Sequence, residues 1–159
     1  MTTSRERLLV QLQQDAHAVA ISGDGTRFMY SLAEGNQTTY HWRDVDRMHA
    51  YVLCESCTPL AMSRKGDRVL EQRGADAWVH DLTSGEAKLA LTGIQTGLRG
   101  RQLDYAHELR FLEIDWSRDE KWLAFQAGEP QRVFVAPVRP GNPTYPAEWM
   151  EIAPGSYPR

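Results

Sequence analysis

Long apolar runs are missing from this chain. No segment approaches the ~20 consecutive apolar residues of a membrane-spanning helix, so no helical span is expected and no membrane partner. The opening residues lack the apolar core of a secretory leader, because Leu8-Leu9-Val10 is followed at once by Gln11. The sequence therefore reads as cytoplasmic. An excess of one charge is missing too: 18 Lys and Arg stand against 21 Asp and Glu, a formal net charge of -3. A general nucleic-acid binder carries basic residues in excess to neutralise phosphates, so no nucleic acid is expected as partner. Arg99 and Arg101 form a close basic pair in the middle of the chain.

Cysteine is nearly absent. The two present stand as Cys54-Glu55-Ser56-Cys57. A zinc site requires a tetrahedral set of ligands, and a redox pair requires a thioredoxin-like helix start. No second C-x-x-C follows, and His17, His41, His49, His80 and His107 are scattered. The pair is read as the seam between one structural unit and the next, with no metal and no cofactor. No G-x-S-x-G elbow occurs either.

What is there, three times, is a short phrase. It reads Ile21-Ser22-Gly23-Asp24-Gly25-Thr26-Arg27-Phe28, then Met62-Ser63-Arg64-Lys65-Gly66-Asp67-Arg68-Val69, then Trp116-Ser117-Arg118-Asp119-Glu120-Lys121-Trp122-Leu123. Each copy is an apolar residue and a serine, a polar turn, and a return to apolar residues. The serines are 41 and 54 residues apart, the length of one propeller blade. Around each copy short strand patterns and turn signals alternate. The strands of the first unit are expected at Ala18–Ser22, Arg27–Leu32, Thr38–Val45 and Ala50–Cys54. Those of the second are Leu60–Ser63, Arg68–Gln72, Ala77–Leu82 and Ala87–Thr92. The third unit is expected at Leu109–Trp116, Lys121–Gln126, Arg132–Val138 and Glu148–Ile152. Residues 94–108, with Gly97 and Gly100, read as an inter-unit loop that lengthens the second spacing. Residues 4–14 fit a helix by Leu8 and Leu12 and a strand by Leu8, Val10 and Leu12; the strand is preferred. Seven of the eight prolines lie from Pro130 onward. Pro137, Pro140, Pro143 and Pro146 fall three apart, a spacing compatible with polyproline II but read here as a stiffened loop.

Trp78-Val79-His80-Asp81-Leu82-Thr83-Ser84-Gly85-Glu86 resembles the close of a WD-repeat or TolB-like propeller blade. The three serine phrases resemble the Ser-Pro-Asp-Gly-Lys hairpin of the same families. Asp115-Trp116-Ser117-Arg118-Asp119-Glu120-Lys121-Trp122-Leu123-Ala124-Phe125 is similar to the TolB-like form, and Phe134-Val135-Ala136-Pro137-Val138 to its third strand. No copy keeps the proline, Glu120 replaces the last glycine, and His80-Asp81 stands where WD repeats carry Trp-Asp. The resemblance implies an all-β fold of four-stranded blades, about three in one domain over 1–159. The blades are placed at 17–56, 57–93 and 109–155. It carries no catalytic residue.

A non-catalytic module that binds a protein partner is therefore expected, with Arg99, Arg101, Tyr145 and Trp149 as binding candidates. Tyr145 and Trp149 are the aromatics expected at the surface. Asp115, His17 and His107 are the groups an enzyme would use, and they share no spacing. The alternatives are a sensor or gating propeller portion of a larger enzyme or kinase, and a propeller that binds sugars or small ligands. Three blades do not close a ring, so the chain either forms a homodimer closing a six-bladed ring, the reading preferred here, or is part of a longer propeller, or pairs with another chain.

Overall fold

A computed structural model describes residues 16–47, 49–54, 57–93, 112–127 and 132–154. The first sheet contains β1 (Ala16–Ile21), β2 (Arg27–Glu34), β3 (Gln37–Asp44) and β4 (Tyr51–Cys54). The second contains β5 (Thr58–Met62), β6 (Arg68–Arg73), β7 (Asp76–Asp81) and β8 (Ala87–Thr92). The third contains β9 (Leu112–Trp116), β10 (Trp122–Ala127), β11 (Arg132–Pro137) and β12 (Met150–Pro154). Each is an antiparallel meander with its strands in chain order. The first strands carry the contact between sheets: β5 packs against β1 on one side and β9 on the other.

The registers of the three sheets are equivalent. Ala20, Met29, Trp42 and Tyr51 stand opposite one another across the first sheet. Ala61, Leu70, Val79 and Lys88 do the same in the second. Asp115, Ala124, Val135 and Met150 do so in the third. Directly opposed residues share a face of a sheet, so each row is one stripe of one face. The first row packs on Met62 and Val69 of the next sheet through a cluster that includes Met29, Trp42 and Leu53. The second row packs in the same way on Ile114, Leu123 and Phe125. Leu70, Leu123 and Phe125 are fully buried, and burial of each such side chain stabilises by about 1.5–3 kcal/mol.

The third sheet differs from the sequence expectation near its end. Glu148 belongs to a 3-10 turn over Pro146–Glu148, and β12 begins only at Met150. The proline-rich segment is a loop laced onto the outer edge of the second sheet. Thr144 forms a parallel bridge with Leu91. Its N–H donates to the Ala90 carbonyl (2.9 Å), and its carbonyl accepts from the Thr92 N–H (3.1 Å). Thr144 is fully buried, and the loop supplies β8 with the partner that an open edge lacks. Residues 4–14 and 94–108 lie outside the described residues. Among the described residues no helix is long and apolar enough to cross a membrane.

Candidate interaction surface

Each serine phrase folds into the same turn. The Oγ of Ser22, Ser63 and Ser117 accepts from the backbone N–H five residues on, that of Arg27, Arg68 and Trp122, at 3.0–3.1 Å. The same hydroxyls donate to Asp24 (2.6 Å), Asp67 (2.8 Å) and Asp119 (2.7 Å). The residue three after the serine takes a positive φ: 71° at Gly25, 69° at Gly66 and 57° at Glu120. Glycine adopts that conformation without a Cβ clash. Glu120 adopts it at a cost of about 1–2 kcal/mol, and its carboxylate bonds explain what offsets that cost.

Those bonds tie neighbouring turns together. Between the first and second sheets, the Asp24 N–H donates to the Arg64 carbonyl (3.1 Å) and the Arg27 guanidinium to the Gly66 carbonyl (2.9 Å). Between the second and third, the Lys65 N–H and the Arg68 guanidinium both donate to the Glu120 carboxylate. Arg68 also lies over the Trp116 ring at 5.1 Å. Glycine is required at Gly66 twice over, since a Cβ there would stand 2.8 Å from the Ser22 Cβ. The result is a fixed ladder of turns.

On this ladder Arg64, Lys65, Arg118 and Lys121 are exposed, and none of their side chains is in an ion pair with a described residue. The acidic groups beside them are held ionised. The Ser22 hydroxyl, then the Thr26 N–H and hydroxyl, lower the Asp24 pKa to about 2. The Ser117 hydroxyl and the Lys121 N–H lower that of Asp119.

Of the residues singled out from sequence, Arg99, Arg101 and His107 lie outside the described residues. Tyr145 is 42% exposed on the proline-rich loop. Trp149 is not a surface aromatic: it is half-buried, its ring edge-on to Phe125 (4.9 Å) and Phe134 (5.6 Å). His17 is exposed on β1. Asp115 is exposed on β9, where its carboxylate accepts from the Trp116 N–H at 2.7 Å.

Cys54 and Cys57 form a disulfide across the seam between β4 and β5, with Cα atoms 5.9 Å apart. Their sulfurs and a carboxylate oxygen of Glu71 lie within 4.8 Å of one another. Glu71 is fully buried and bonds the Arg73 guanidinium, with His80 Nδ1 3.4 Å away. Disulfide sulfurs lack the thiolate charge that a metal requires, and the Glu71 charge is already met by Arg73. In this oxidised form the cluster clips the crossover between two sheets.

No family model matches the chain, and no curated protein matches it. Solved structures do. The β-propeller domain of the Trilobed protease from Pyrococcus furiosus matches with a TM-score of 0.56 at 15% identity, over 88% of this chain and 44% of that one. TolB from Acinetobacter baumannii matches at 0.53 and 11%, over 77% of this chain and 29% of that one. The fold is a partial β-propeller, as in these structures. An oligogalacturonate lyase from Vibrio parahaemolyticus is similar as well, at 0.55 and 11%, over 86% of this chain and 39% of that one. The chain spans less than half the length of each of these propeller structures.

Sequence reasoning did not find the basic turn residues or Glu71. The signal for the first was present: Arg64-Lys65 and Arg118 directly follow the repeated serine, and Lys121 comes four residues after it. Glu71 gave a weaker one, a lone charge after Val69-Leu70 at the place that Tyr30 and Phe125 hold in the other blades.

Proposed function

We propose that this chain is a non-catalytic β-propeller module that binds an acidic segment of a protein partner on its ladder of turns. The observation that carries this reading is the set of four exposed cations, Arg64, Lys65, Arg118 and Lys121, outside any described ion pair and fixed on hydrogen-bonded turns. Positive groups carried on turns whose backbone is held by hydrogen bonds steer an acidic partner to one place on the molecule. Exposed Tyr145 offers an aromatic contact elsewhere on the molecule. A cytoplasmic location belongs to the same proposal, and the Cys54–Cys57 pair tests it. Disulfides persist in oxidising compartments, so labelling that finds both thiols reduced in cells supports the cytoplasm.

A second reading, a gating or sensing propeller within a larger enzyme, is favoured by one observation. A similar fold forms the propeller domain of a protease, and this chain spans 44% of that chain. The two readings part on whether the turns bind anything alone. A fluorescent glutamate-rich peptide, followed by anisotropy, is expected to bind the isolated chain and to release as salt rises. Replacing Arg64, Lys65, Arg118 and Lys121 together by serine is expected to weaken binding by at least about tenfold, as four removed charge contacts require. Binding that survives the replacement, or no binding at low salt, overturns the proposal.

A further inference from the structure

The first and last blades each leave part of one face uncovered, the first at Ile21 and the last at Trp122 and Met150, and the two open parts are complementary. Within the chain a junction always pairs the same positions. The row that begins one residue before the apolar-serine pair (Ala20-Met29-Trp42, then Ala61-Leu70-Val79) meets the Met62-Val69 or Trp116-Leu123 pair of the next blade. Met29 and Leu70 are fully buried by this contact, Val79 is 3% exposed and Trp42 8%. The third blade has the equivalent row, Asp115-Ala124-Val135-Met150, yet Ala124 and Val135 are only half-buried and Met150 is 51% exposed. The first blade has the equivalent receiving pair, Ile21-Phe28; Phe28 is already buried at 8%, but Ile21 is 52% exposed where its counterpart Met62 is 7%.

The turns repeat the mismatch. Arg27 and Arg68 each reach from their own turn to that of the next blade. The third blade carries Trp122 at this position, 37% exposed. The space beside Gly25, where a neighbour's side chain would lie, is open, whereas Gly66 is filled by Ser22 and Arg27 of the preceding blade.

We infer that a second copy of this chain covers both faces, the Trp122 face of each copy packing on the Ile21 face of the other. This goes beyond the acidic-segment reading and does not depend on it. The occupant is identified by chemistry: the open row of the third blade is shaped for an apolar receiving pair preceding a turn with glycine three residues after its serine. The first blade supplies both, as Ile21-Phe28 and Gly25. Asp115, whose carboxylate is already bonded to the Trp116 N–H, sits on the innermost strand at the end of the row. The two junctions are the same head-to-tail contact used twice about a two-fold axis, the arrangement in which such a contact closes into a ring. Six blades fall within the range of about four to eight that rings contain.

Light scattering on a size-exclusion column is expected to give twice 18.1 kDa for the 159-residue chain. Trp122→Glu is expected to return it to a folded 18.1 kDa species. Trp122→Arg, which installs the residue of the other two turns, is expected to keep the dimer. If Trp122→Glu fails to fold, mixed Ile21→Cys and Trp122→Cys chains are expected to cross-link to each other, and neither to itself. A wild-type mass of 18.1 kDa at every concentration overturns the inference, as does growth beyond two copies. So does a dimer indifferent to Trp122→Glu, or an absence of cross-links between the two cysteine variants.

Discussion

Asp24, Asp67 and Asp119 receive a serine hydroxyl in equivalent turns, but from different sequence distances: Asp24 and Asp119 lie two residues after the serine, Asp67 four. The acceptor is therefore fixed by the hydroxyl's position and not by one motif spacing. Asp24 adds the N–H and the hydroxyl of Thr26 (3.0 and 2.7 Å). All three donors favour its ionised form, and the pKa falls from 3.8 to about 2. A folded-state pKa below the unfolded one means that the turn's stabilisation is complete above about pH 4 and drains away as the pH falls through about 2. Carboxyl NMR should place the Asp24 midpoint near 2, with the Thr26 amide shift following the same curve. A midpoint at the ordinary 3.8 would show that these hydrogen bonds are not held in solution. Glu120 illustrates the opposite balance. The backbone there prefers glycine, which the other two copies of the turn carry at Gly25 and Gly66. The Arg68 and Lys65 bonds hold it in place instead.

At the scale of the element, the turns are also junctions, and two glycines separate the roles. Both Gly25 and Gly66 hold a positive φ (71° and 69°), but a Cβ at Gly25 meets nothing within 4 Å, while one at Gly66 strikes Ser22 and Arg27. Gly25→Ala should cost the single chain only the left-handed backbone penalty, about 1–2 kcal/mol. Gly66→Ala should cost that plus an overpacking penalty of about 1–3 kcal/mol, because the neighbouring blade must move and the Arg27 bond to the Gly66 carbonyl is disturbed. Urea denaturation of the two variants in dilute solution checks the difference, and equal losses would mean that the first two blades are not packed turn to turn. The strands and turns were legible because apolar alternation and Gly-Asp turns are local signals. Ala87–Thr92 falls on β8 as expected, and the other described strands shift by a few residues at most. What joins the blades was not legible, since Arg27 meets Gly66 and Arg68 meets Glu120 across 39 and 52 residues. Trp149 was misjudged for the same reason. Its neighbouring prolines suggest a surface loop, while Phe125 and Phe134, distant in sequence, draw its ring inward.

At the scale of the whole molecule, the uncovered faces set how stability responds to concentration. Of the eight exposed large hydrophobic side chains among the described residues, Val19, Ile21, Tyr51 and Val52 belong to the first blade, while Trp122 and Met150 belong to the open face and turn of the third. If two copies cover these faces, folding and association share one equilibrium, and mass action raises the thermal midpoint as the chain is concentrated. A single folded chain has no such dependence. Differential scanning calorimetry over a hundredfold dilution series should therefore show a midpoint that climbs with concentration in the wild type and stays level in Trp122→Glu. Gly25→Ala should flatten the climb as well, because the new methyl group would stand where Trp122 of the other copy packs, so the penalty missing from the dilute chain appears on association. A level wild-type midpoint would place the cover for these faces outside a second copy.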